Sequence, residues 1–287
     1  MLGELLRYSA SMTTTNSSAH SAPPIAVILA RGLGTRLRAV SSAALDAEAT
    51  AVAATGVKAQ LPDASGRPFL DHVLTDLADA GIREVVLVIG PEHDALREVY
   101  SLPLRRLTIS FAVQAQPRGT ADAVSAVAEV VGNREFIVIN SDNRYPLAGL
   151  AALVAHRGPA LIGFYRSGLL AGGLPTERLN GFAVIDVCAG NLEVIMEKNP
   201  AAELARRGDS ALLSMNCWCF DRRIFAACAA VTPSPRGELE LPSAVALSRL
   251  AGCTYAVLAH DGEVLDLSRR DDLAGVRAAL AGHQVDL

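Results

Sequence analysis

Short apolar runs alternate with amphipathic stretches along the first half of the chain. The apolar runs are continuous, which is typical of strands buried on both faces of a sheet. They span residues 25–30, 84–90, 107–113 and 135–142. The stretches between them repeat apolar residues at helical spacing, at 68–81, 92–100 and 120–131. Strand–helix units of this length predict parallel strands with right-handed crossovers, and hence a doubly wound α/β sheet.

After about residue 160 the pattern is less regular and predicts a more mixed arrangement of strands. The predicted strands lie within 160–165, 181–187, 192–197 and 211–220. Helices are expected at 221–230 and 238–250, and a last strand-then-helix unit at 264–280. Because no linker separates independent domains, residues 25–287 are expected to form a single domain. Its halves, 25–150 and 151–287, are expected to form the two walls of a cleft.

Composition and charge limit the partners and the compartment. Residues 1–24 are rich in Ser, Thr, Asn and Pro and lack the apolar core of a signal peptide, which predicts a disordered tail. The net charge of −4 provides no basic field for nucleic acid. No run approaches the roughly 20 apolar residues of a membrane span, and the five cysteines follow no metal-ligand spacing. We therefore expect a cytoplasmic protein that binds neither nucleic acid nor membrane.

The first predicted strand leads directly into a glycine-rich stretch, Gly32-Leu33-Gly34-Thr35-Arg36. Ligands of open α/β sheets bind beyond the carboxyl ends of the strands, which is where this stretch lies. Its glycines allow backbone amides to turn toward an anion, while Thr35 and Arg36 add a hydroxyl and a planar cation. The stretch is neither a P-loop nor a dinucleotide fingerprint, because the Gly-Lys-Ser/Thr and the third glycine are missing. It is predicted to bind phosphate.

With this stretch, the chain resembles the sugar-phosphate nucleotidyltransferases, whose signature loop runs Leu-Ala-Ala/Gly-Gly-x-Gly-Thr-Arg. Further segments follow in the order that the family has them. They are Lys58 in GVKAQLP, QAQPRGTADAV at 114–124, NSDN at 140–143, MEKNP at 196–200, RGELELP at 236–242 and VLDLSRRDDLAGV at 264–276. The resemblance implies a nucleotidyltransferase (GT-A-like) fold with a mostly parallel, Rossmann-like mixed sheet flanked by helices.

The same resemblance implies an activity and its partners. A nucleoside triphosphate would condense with a sugar 1-phosphate, or with a sugar-like cyclitol 1-phosphate, to give a nucleoside diphosphate sugar and pyrophosphate. The implied cofactor is Mg²⁺, with Mn²⁺ as the other candidate. The segment that begins at Gln114 favours a pyrimidine base, although a glutamine amide can pair with several bases. The oligomeric state is left open, a homo-oligomer included.

The resemblance also assigns roles to individual residues. Arg36 would neutralise the departing pyrophosphate, Lys58 would bridge the α-phosphate and the incoming phosphate, and Lys198 would grip the sugar phosphate. With Asp142, these are the candidate catalytic residues. The nucleotide-binding positions are Ala30, Gly32, Leu33, Gly34, Thr35, Arg36, Gln114, Gly119 and Thr120. The sugar-phosphate positions are Asn143, Ala183, Glu197, Lys198 and Asn216, and the metal ligands are Asp142 and Asp266.

The use of lysine supports two of these positions without reference to any family. Among the 26 basic residues, only Lys58 and Lys198 are lysines. A chain that otherwise uses arginine for positive charge keeps lysine where a compact ammonium fits and a guanidinium fork does not. Both lysines fall on positions that the resemblance assigns to phosphate contact.

Departures from the family pattern lie mainly on the sugar side. Ala183 and Asn216 stand where glycines are usual, and the closing Trp and Gly-Thr around Asp266 are missing. These changes predict an unusual sugar or cyclitol phosphate. On the nucleotide side, Arg31 replaces a small residue, with either a phosphate or solvent as its partner, and the alanine-rich insertion 41–56 is expected to form a short helix over the triphosphate.

Two alternatives to this function remain. A nucleotide-sugar-dependent glycosyltransferase would use an Asp-x-Asp pair, which Ser141-Asp142-Asn143 does not supply. A non-catalytic regulatory protein that binds nucleotide sugars would be expected to lose Arg36, Lys58 or Asp142, and all three are present.

Overall fold

The computed structural model describes residues 23–32, 50, 52, 58–197 and 200–287. Its strands are β1 (Ile25–Leu29), β2 (Glu84–Ile89), β3 (Thr108–Val113), β4 (Phe136–Asn140), β5 (Asn143–Arg144), β6 (Ala160–Tyr165), β7 (Ala183–Cys188), β8 (Asn191–Met196), β9 (Leu212–Phe220), β10 (Ala256–His260) and β11 (Leu265–Asp266). Its α-helices are α1 (Phe69–Asp79), α2 (Asp94–Tyr100), α3 (Thr120–Ser125), α4 (Ala128–Val131), α5 (Leu147–Ala155), α6 (Arg166–Ala171), α7 (Thr176–Leu179), α8 (Pro200–Arg207), α9 (Arg223–Ala230), α10 (Leu241–Leu250) and α11 (Asp272–Leu280).

Nine of these strands form one sheet, in the order β3-β2-β1-β4-β9-β6-β10-β8-β7. β1 pairs in parallel with β2 and β4, and β2 pairs in parallel with β3. The prediction of parallel strands is therefore confirmed for the first half of the chain. The two remaining strands, β5 and β11, form a small antiparallel ladder of their own.

The second half has the more mixed arrangement that its irregular pattern predicts, with β10 parallel to β6 and the other pairings antiparallel. β9 lies antiparallel to both β4 and β6, between which it is inserted. β7 and β8 pair antiparallel through the turn Ala189-Gly190, whose φ angles of 48° and 78° suit a two-residue hairpin. So short a connection excludes a parallel crossover, which needs a dozen or more residues.

Helices cover both faces of the sheet, as the continuous apolar strands require. In β1, Ala26 and Ile28 pack into one buried cluster and Ile25 and Val27 into the other. The first cluster includes apolar residues of α1 and α5, and the second includes those of α3, α9 and α10. Burial on both faces fixes the sheet between two helical layers and leaves its carboxyl edge for ligands.

Some predicted elements differ in extent from the observed ones. The single helix expected at 120–131 is two helices, because Val127 N donates to Val124 O and interrupts the i to i−4 ladder. β10 falls outside the predicted strands, since its AVLAH residues are mostly half-buried and form no long apolar run. The predicted tail and the insertion 41–56 lie outside the described residues except at 23, 24, 50 and 52. Within the described ranges, no helix has both the length and the apolar character to cross a membrane.

Candidate active site

The predicted phosphate-binding stretch begins at the carboxyl edge of the parallel strands. Ala30, directly after β1, is buried, and its backbone N–H donates to Val88 O at 2.9 Å. Gly32 is exposed, as a residue that approaches a ligand must be. Leu33, Gly34, Thr35 and Arg36 lie outside the described residues, so their roles stay predictions.

Lys58 and Asp142 meet at this edge, as the resemblance predicts for two residues of one catalytic site. Lys58 opens a 3₁₀ turn, Lys58–Gln60, and Asp142 follows β4. The distance from Lys58 Nζ to Asp142 Oδ2 is 2.7 Å, and both side chains are about one-fifth exposed or less. A partly desolvated ammonium–carboxylate pair is a strong, charge-assisted contact. It places one cation and one anion where the ends of β1 and β4 converge.

Asp266 joins the same site from the other end of the chain. β11 pairs antiparallel with β5, which sets Asp266 opposite Asn143. Leu267 N donates to Asp142 O at 2.8 Å, so the two predicted metal ligands lie on adjoining backbone. Burial raises the pKa of Asp266, and the charge of Asp142 raises it further. The β5–β11 ladder and the Leu267 N to Asp142 O hydrogen bond bring Asp142 and Asp266 side by side.

The oxygen donors at this site suit a hard divalent cation. Mg²⁺ is usually held by one or two carboxylates, with substrate phosphates and water completing its coordination. Asp142 and Asp266 supply such a pair. In the part of the chain that the structure describes, no group of three or more His, Cys, Asp or Glu side chains is arranged to hold a metal ion. The residues therefore fit a cation that shares its coordination with a substrate.

Arg178, a residue that sequence reasoning missed, forms a salt bridge with Asp266. Its guanidinium, on α7, donates to Asp266 Oδ2 and lies 3.3 Å from Asp272 Oδ2. Ser268 Oγ donates to the other oxygen of Asp266. The arginine lies far from Asp266 in sequence, so no local motif indicates the pair. The only signal is that TERL at 176–179 follows Pro175 as a short helix with a basic residue.

The segment predicted to bind the base is braced within the protein. Gln114 is buried, and its Nε2 donates to Gly119 O at 3.0 Å and to Asp122 Oδ2 at 2.9 Å. The Thr120 hydroxyl accepts a hydrogen bond of 2.9 Å from Leu241 N. The structure thus brings Gln114, Gly119 and Thr120 together, and it uses the Gln114 amide nitrogen internally.

Gly119 is required by close backbone contact. Its φ is 118°, and a Cβ there would lie 2.5 Å from Leu239 O and 2.6 Å from Leu239 N. The segments around Gly119 and Leu239 are also joined by two backbone hydrogen bonds, from Leu239 N to Arg118 O and from Ala121 N to Leu239 O. This links the predicted base segment to the RGELELP segment, which the resemblance also singles out.

Arg31, for which the sequence left a phosphate and solvent open as partners, contacts Glu92 and the predicted base segment within the protein. Its Nε and Nη2 donate to the two carboxylate oxygens of Glu92 at 3.0 and 3.1 Å, and its Nη1 donates to Gln114 O. These contacts join the residues that follow β1, β2 and β3. Glu92 was missed by the sequence reasoning, although its place just after β2, at the carboxyl edge, is a usable signal.

The sugar-side positions Asn143, Ala183 and Asn216 lie close together. Ala183 opens β7 and pairs with Ser214 of β9, two residues before Asn216. Asn216 has φ 57° and lies at an irregularity in the β6–β9 pairing, which explains why a glycine position accepts asparagine. Tyr145, which follows Asn143 and β5, donates to Met215 O at 2.7 Å. These contacts connect all three positions.

Asn143 and Glu197 complete the described sugar side. Asn143 is buried, its Oδ1 accepts from Asn140 Nδ2, and its Nδ2 has no hydrogen-bond partner among the described residues. Loss of hydration raises the pKa of Glu197, and the nearby charge of Glu240 raises it further. Lys198 lies outside the described residues, so its grip on the sugar phosphate stays a prediction.

Comparisons with known proteins show which proteins this chain is similar to. The uridylyltransferase AglF of Haloferax volcanii, named for UTP and glucose 1-phosphate, is 26% identical over 248 residues, which cover 86% of this chain and 92% of AglF. The nucleotidyltransferase Agl11 of low-salt glycan biosynthesis, from the same organism, is 27% identical over 86% of this chain and 63% of its own length. A glucose-1-phosphate thymidylyltransferase of Streptomyces griseus is 29% identical over 77% of this chain and 56% of its own. The chain thus spans less than two thirds of the last two relatives.

A solved structure and a family model settle the fold and the family. The structure of a UDP-glucose pyrophosphorylase complexed with UDP-glucose aligns with a TM-score of 0.69 at 16% identity, covering 91% of this chain and 100% of that one. At this identity the likeness shows the fold alone. Residues 25–256 match the model of the nucleotidyl transferase family. The chain therefore belongs to the nucleotidyl transferase family, which confirms its resemblance to the sugar-phosphate nucleotidyltransferases.

Proposed function

We propose that the protein condenses a nucleoside triphosphate with a sugar 1-phosphate, or with a cyclitol 1-phosphate, releasing pyrophosphate. A phosphate oxygen of the sugar phosphate attacks the α-phosphorus and forms the new P–O bond. The bond from the α-phosphorus to the oxygen bridging to the β-phosphorus breaks, and pyrophosphate leaves with that electron pair. The observation that carries the proposal is the Lys58–Asp142 pair of 2.7 Å beside Asp266.

The reaction joins two polyanions, so alignment and charge neutralisation are the main requirements. Lys58 offers a compact, partly buried ammonium that can move from Asp142 to the α-phosphate and the incoming phosphate. Arg36 and Lys198 are proposed to neutralise the departing pyrophosphate and the sugar phosphate. No protein side chain need form a covalent intermediate in a direct displacement of this kind.

Asp142 and Asp266 are the residues proposed to hold Mg²⁺ or Mn²⁺. When bound, the cation neutralises charge on the α-phosphate. The chain's own contribution is to hold the two carboxylates together through the β5–β11 ladder and the Leu267 N to Asp142 O hydrogen bond.

On the sugar side, the buried Nδ2 of Asn143 supports a ligand contact. A buried donor without a partner costs about 1–3 kcal/mol, which an oxygen of the sugar phosphate would recover by accepting its hydrogen bond. Glu197 is proposed to accept hydrogen bonds from sugar hydroxyls. Ala183 and Asn216, at positions where the family usually has glycine, support an unusual sugar or a cyclitol as substrate.

On the nucleotide side, the proposal favours a pyrimidine. AglF and the Streptomyces enzyme are named for UTP and for thymidylyl transfer, and the Gln114 segment resembles those of pyrimidine users. Gln114, Gly119 and Thr120 form one braced segment at the carboxyl edge, where the base of a nucleotide held by the glycine-rich stretch would lie.

The test is a pyrophosphate-release assay with Mg²⁺, five nucleoside triphosphates and a panel of sugar and cyclitol 1-phosphates. Asp142→Asn is the inactivating variant. Asp209→Asn, which changes an exposed carboxylate paired with Arg166, is its matched control. Release that requires one substrate pair, survives in Asp209→Asn and disappears in Asp142→Asn supports the proposal.

Two outcomes would overturn it. Tight binding of nucleotide sugars without pyrophosphate release from any pair would favour the regulatory alternative. Transfer of a sugar from a nucleotide sugar to an acceptor, again without pyrophosphate release, would favour the glycosyltransferase alternative.

A further inference from the structure

Arg178 presents a buried cation to one of the two candidate metal ligands. Its side chain is 10% exposed and that of Asp266 is 2% exposed. The guanidinium donates to Asp266 Oδ2, while Asp272 holds it from another side at 3.3 Å. Asp272 in turn accepts hydrogen bonds from Ser268 N and Arg269 N. The arginine is therefore tethered beside Asp266 by a carboxylate that has its own backbone partners.

The other candidate metal ligand is also paired with a cation. Lys58 lies 2.7 Å from Asp142. With Asp272, three carboxylates thus face two cations, and a divalent ion that arrived alone would turn a partly buried cluster of net charge −1 into one of +1. Repulsion between charges a few ångströms apart is large at such a site. A metal ion that arrives with a triphosphate avoids this repulsion, because the triphosphate oxygens can pair with Lys58 and Arg178 once these two cations have left the carboxylates.

We propose that Arg178 is a placeholder: its guanidinium pairs with the Asp266 carboxylate until a divalent cation takes its place. The cation therefore binds together with the nucleotide and only weakly by itself. This inference rests on the proposed function, because it takes Asp142 and Asp266 as metal ligands. The two-carboxylate site agrees with it, since the described residues offer no third acidic, histidine or cysteine ligand arranged around a metal ion. The tether to Asp272 keeps the displaced guanidinium near the site, where its planar fork suits a phosphate oxygen pair.

The test measures Mn²⁺ binding to the full, nucleotide-free chain by electron paramagnetic resonance of the free ion. Arg178→Met removes the charge and keeps much of the side-chain length, and Arg178→Lys keeps the charge. We expect Arg178→Met to bind Mn²⁺ more tightly than wild type, by on the order of tenfold, because a neighbouring cation is removed. Arg178→Lys should bind Mn²⁺ about as weakly as wild type.

Two controls define the site that is measured. Asp266→Asn combined with Arg178→Met should abolish the added affinity. Arg207→Met, which removes another largely buried arginine from a carboxylate, Asp186, should leave Mn²⁺ binding unchanged. If Arg178→Met does not fold, as judged by thermal unfolding, Arg178→Gln replaces it.

Weaker or unchanged Mn²⁺ binding in the folded neutral variants would overturn the inference. Tight Mn²⁺ binding by nucleotide-free wild type, equal to that of those variants, would do the same. The readout needs no catalysis, so a failure of this inference can be told apart from a failure of the proposed function. Pyrophosphate release with no gain in Mn²⁺ affinity would refute the placeholder alone, and a gain without release from any substrate pair would refute the proposed reaction alone.

Discussion

Lys58 Nζ and Asp142 Oδ2 are 2.7 Å apart, although 84 residues separate them in the chain. The contact joins a 3₁₀ turn to the end of β4, and it lies beside Asp266. Since Lys58 is one of two lysines in an arginine-rich chain, its placement on a candidate metal ligand gives that residue choice a chemical reason. A small ammonium can exchange between a carboxylate and a phosphate without the steric demand of a guanidinium.

Lys58→Met is expected to lower kcat/KM for pyrophosphate release by about 10²–10³-fold, the usual cost of removing one transition-state donor. Lys58→Arg should recover only part of the activity, because the fork does not fit the space of an ammonium. Steady-state kinetics on the substrate pair identified in the panel provide the measurement. Arg134→Met, at the exposed Arg134–Glu84 pair, is the control for lost charge. Equal activity in Lys58→Met and wild type would exclude Lys58 from the chemistry.

Arg31→Ala is expected to raise KM for the nucleoside triphosphate by roughly 5–30-fold with a smaller effect on kcat. The substitution removes the hydrogen bond to Gln114 O and the paired contact with Glu92, so the base segment loses a brace while the phosphate chemistry keeps its groups. Initial rates over a range of triphosphate concentrations separate the two constants. A fall in kcat at constant KM would instead place Arg31 at the reacting phosphates.

Gly119→Ala is expected to destabilise the fold by about 2 kcal/mol or more, because it adds a Cβ at 2.5 Å from Leu239 O and strains a φ of 118°. Gly275→Ala is the matched control. Gly275 is exposed within α11, and a Cβ there would have open space, so the change should stabilise by roughly 0.5–1 kcal/mol. Urea unfolding of both variants gives the difference. Similar stability for the two would contradict the close approach at Leu239.

A histidine pair near the C-terminus predicts a loss of stability in acid. His72 Nδ1 lies 2.9 Å from His283 Nδ1, while the outer ring nitrogens contact Asp63 and Asp76 at 3.0 and 3.1 Å. One Nδ1 must accept the proton of the other, and burial lowers the pKa of His72, which suits the accepting role. Protonation of His72 would set two N–H groups against each other and break the contact.

The sign of the pH effect follows from the lowered pKa of His72. A cationic group whose pKa is depressed in the folded state contributes full stability above its unfolded pKa of 6.5, and that stability falls as the pH drops below this value. The slope is at most about 1.4 kcal/mol per pH unit for one proton. Denaturant unfolding between pH 7.5 and 5 should show a flatter profile for His72→Gln than for wild type. His156→Gln, outside this cluster, should keep the wild-type slope.

The charged neighbours of the pair also connect it to the candidate active site. Arg144 donates to both oxygens of Asp76, at 2.5 and 3.0 Å, and it pairs with Leu265 in the β5–β11 ladder. Asp63, Asp76 and Arg144 therefore set the electrostatic environment of the two rings. Combining Asp76→Asn with His72→Gln would test whether the charge of Asp76 contributes to the pH dependence of the free energy of unfolding.

Local pattern predicted the first half of the fold and, with the family resemblance, several candidate site residues. The continuous apolar run at β1 can be buried only between two layers, so it predicts a covered parallel strand. Gly32 and Asp142 stand out because each lies at or just after the end of a predicted strand, and Lys58 stands out as one of only two lysines in the chain. Segments at strand ends can be read from the sequence because a glycine and the end of a strand constrain the backbone of only the few residues around them.

Tertiary structure alone decided the partners of those residues and the direction of the later strands. Arg178 meets Asp266 across 88 residues, and Arg31 meets Gln114 across 83, so no periodicity within either segment indicates the contact. β9 lies antiparallel between β4 and β6 because the chain returns there after the β7–β8 hairpin, and its own apolar sequence suits either direction. Periodicity reports which side of an element is buried. Which distant residues meet depends on how the whole chain packs.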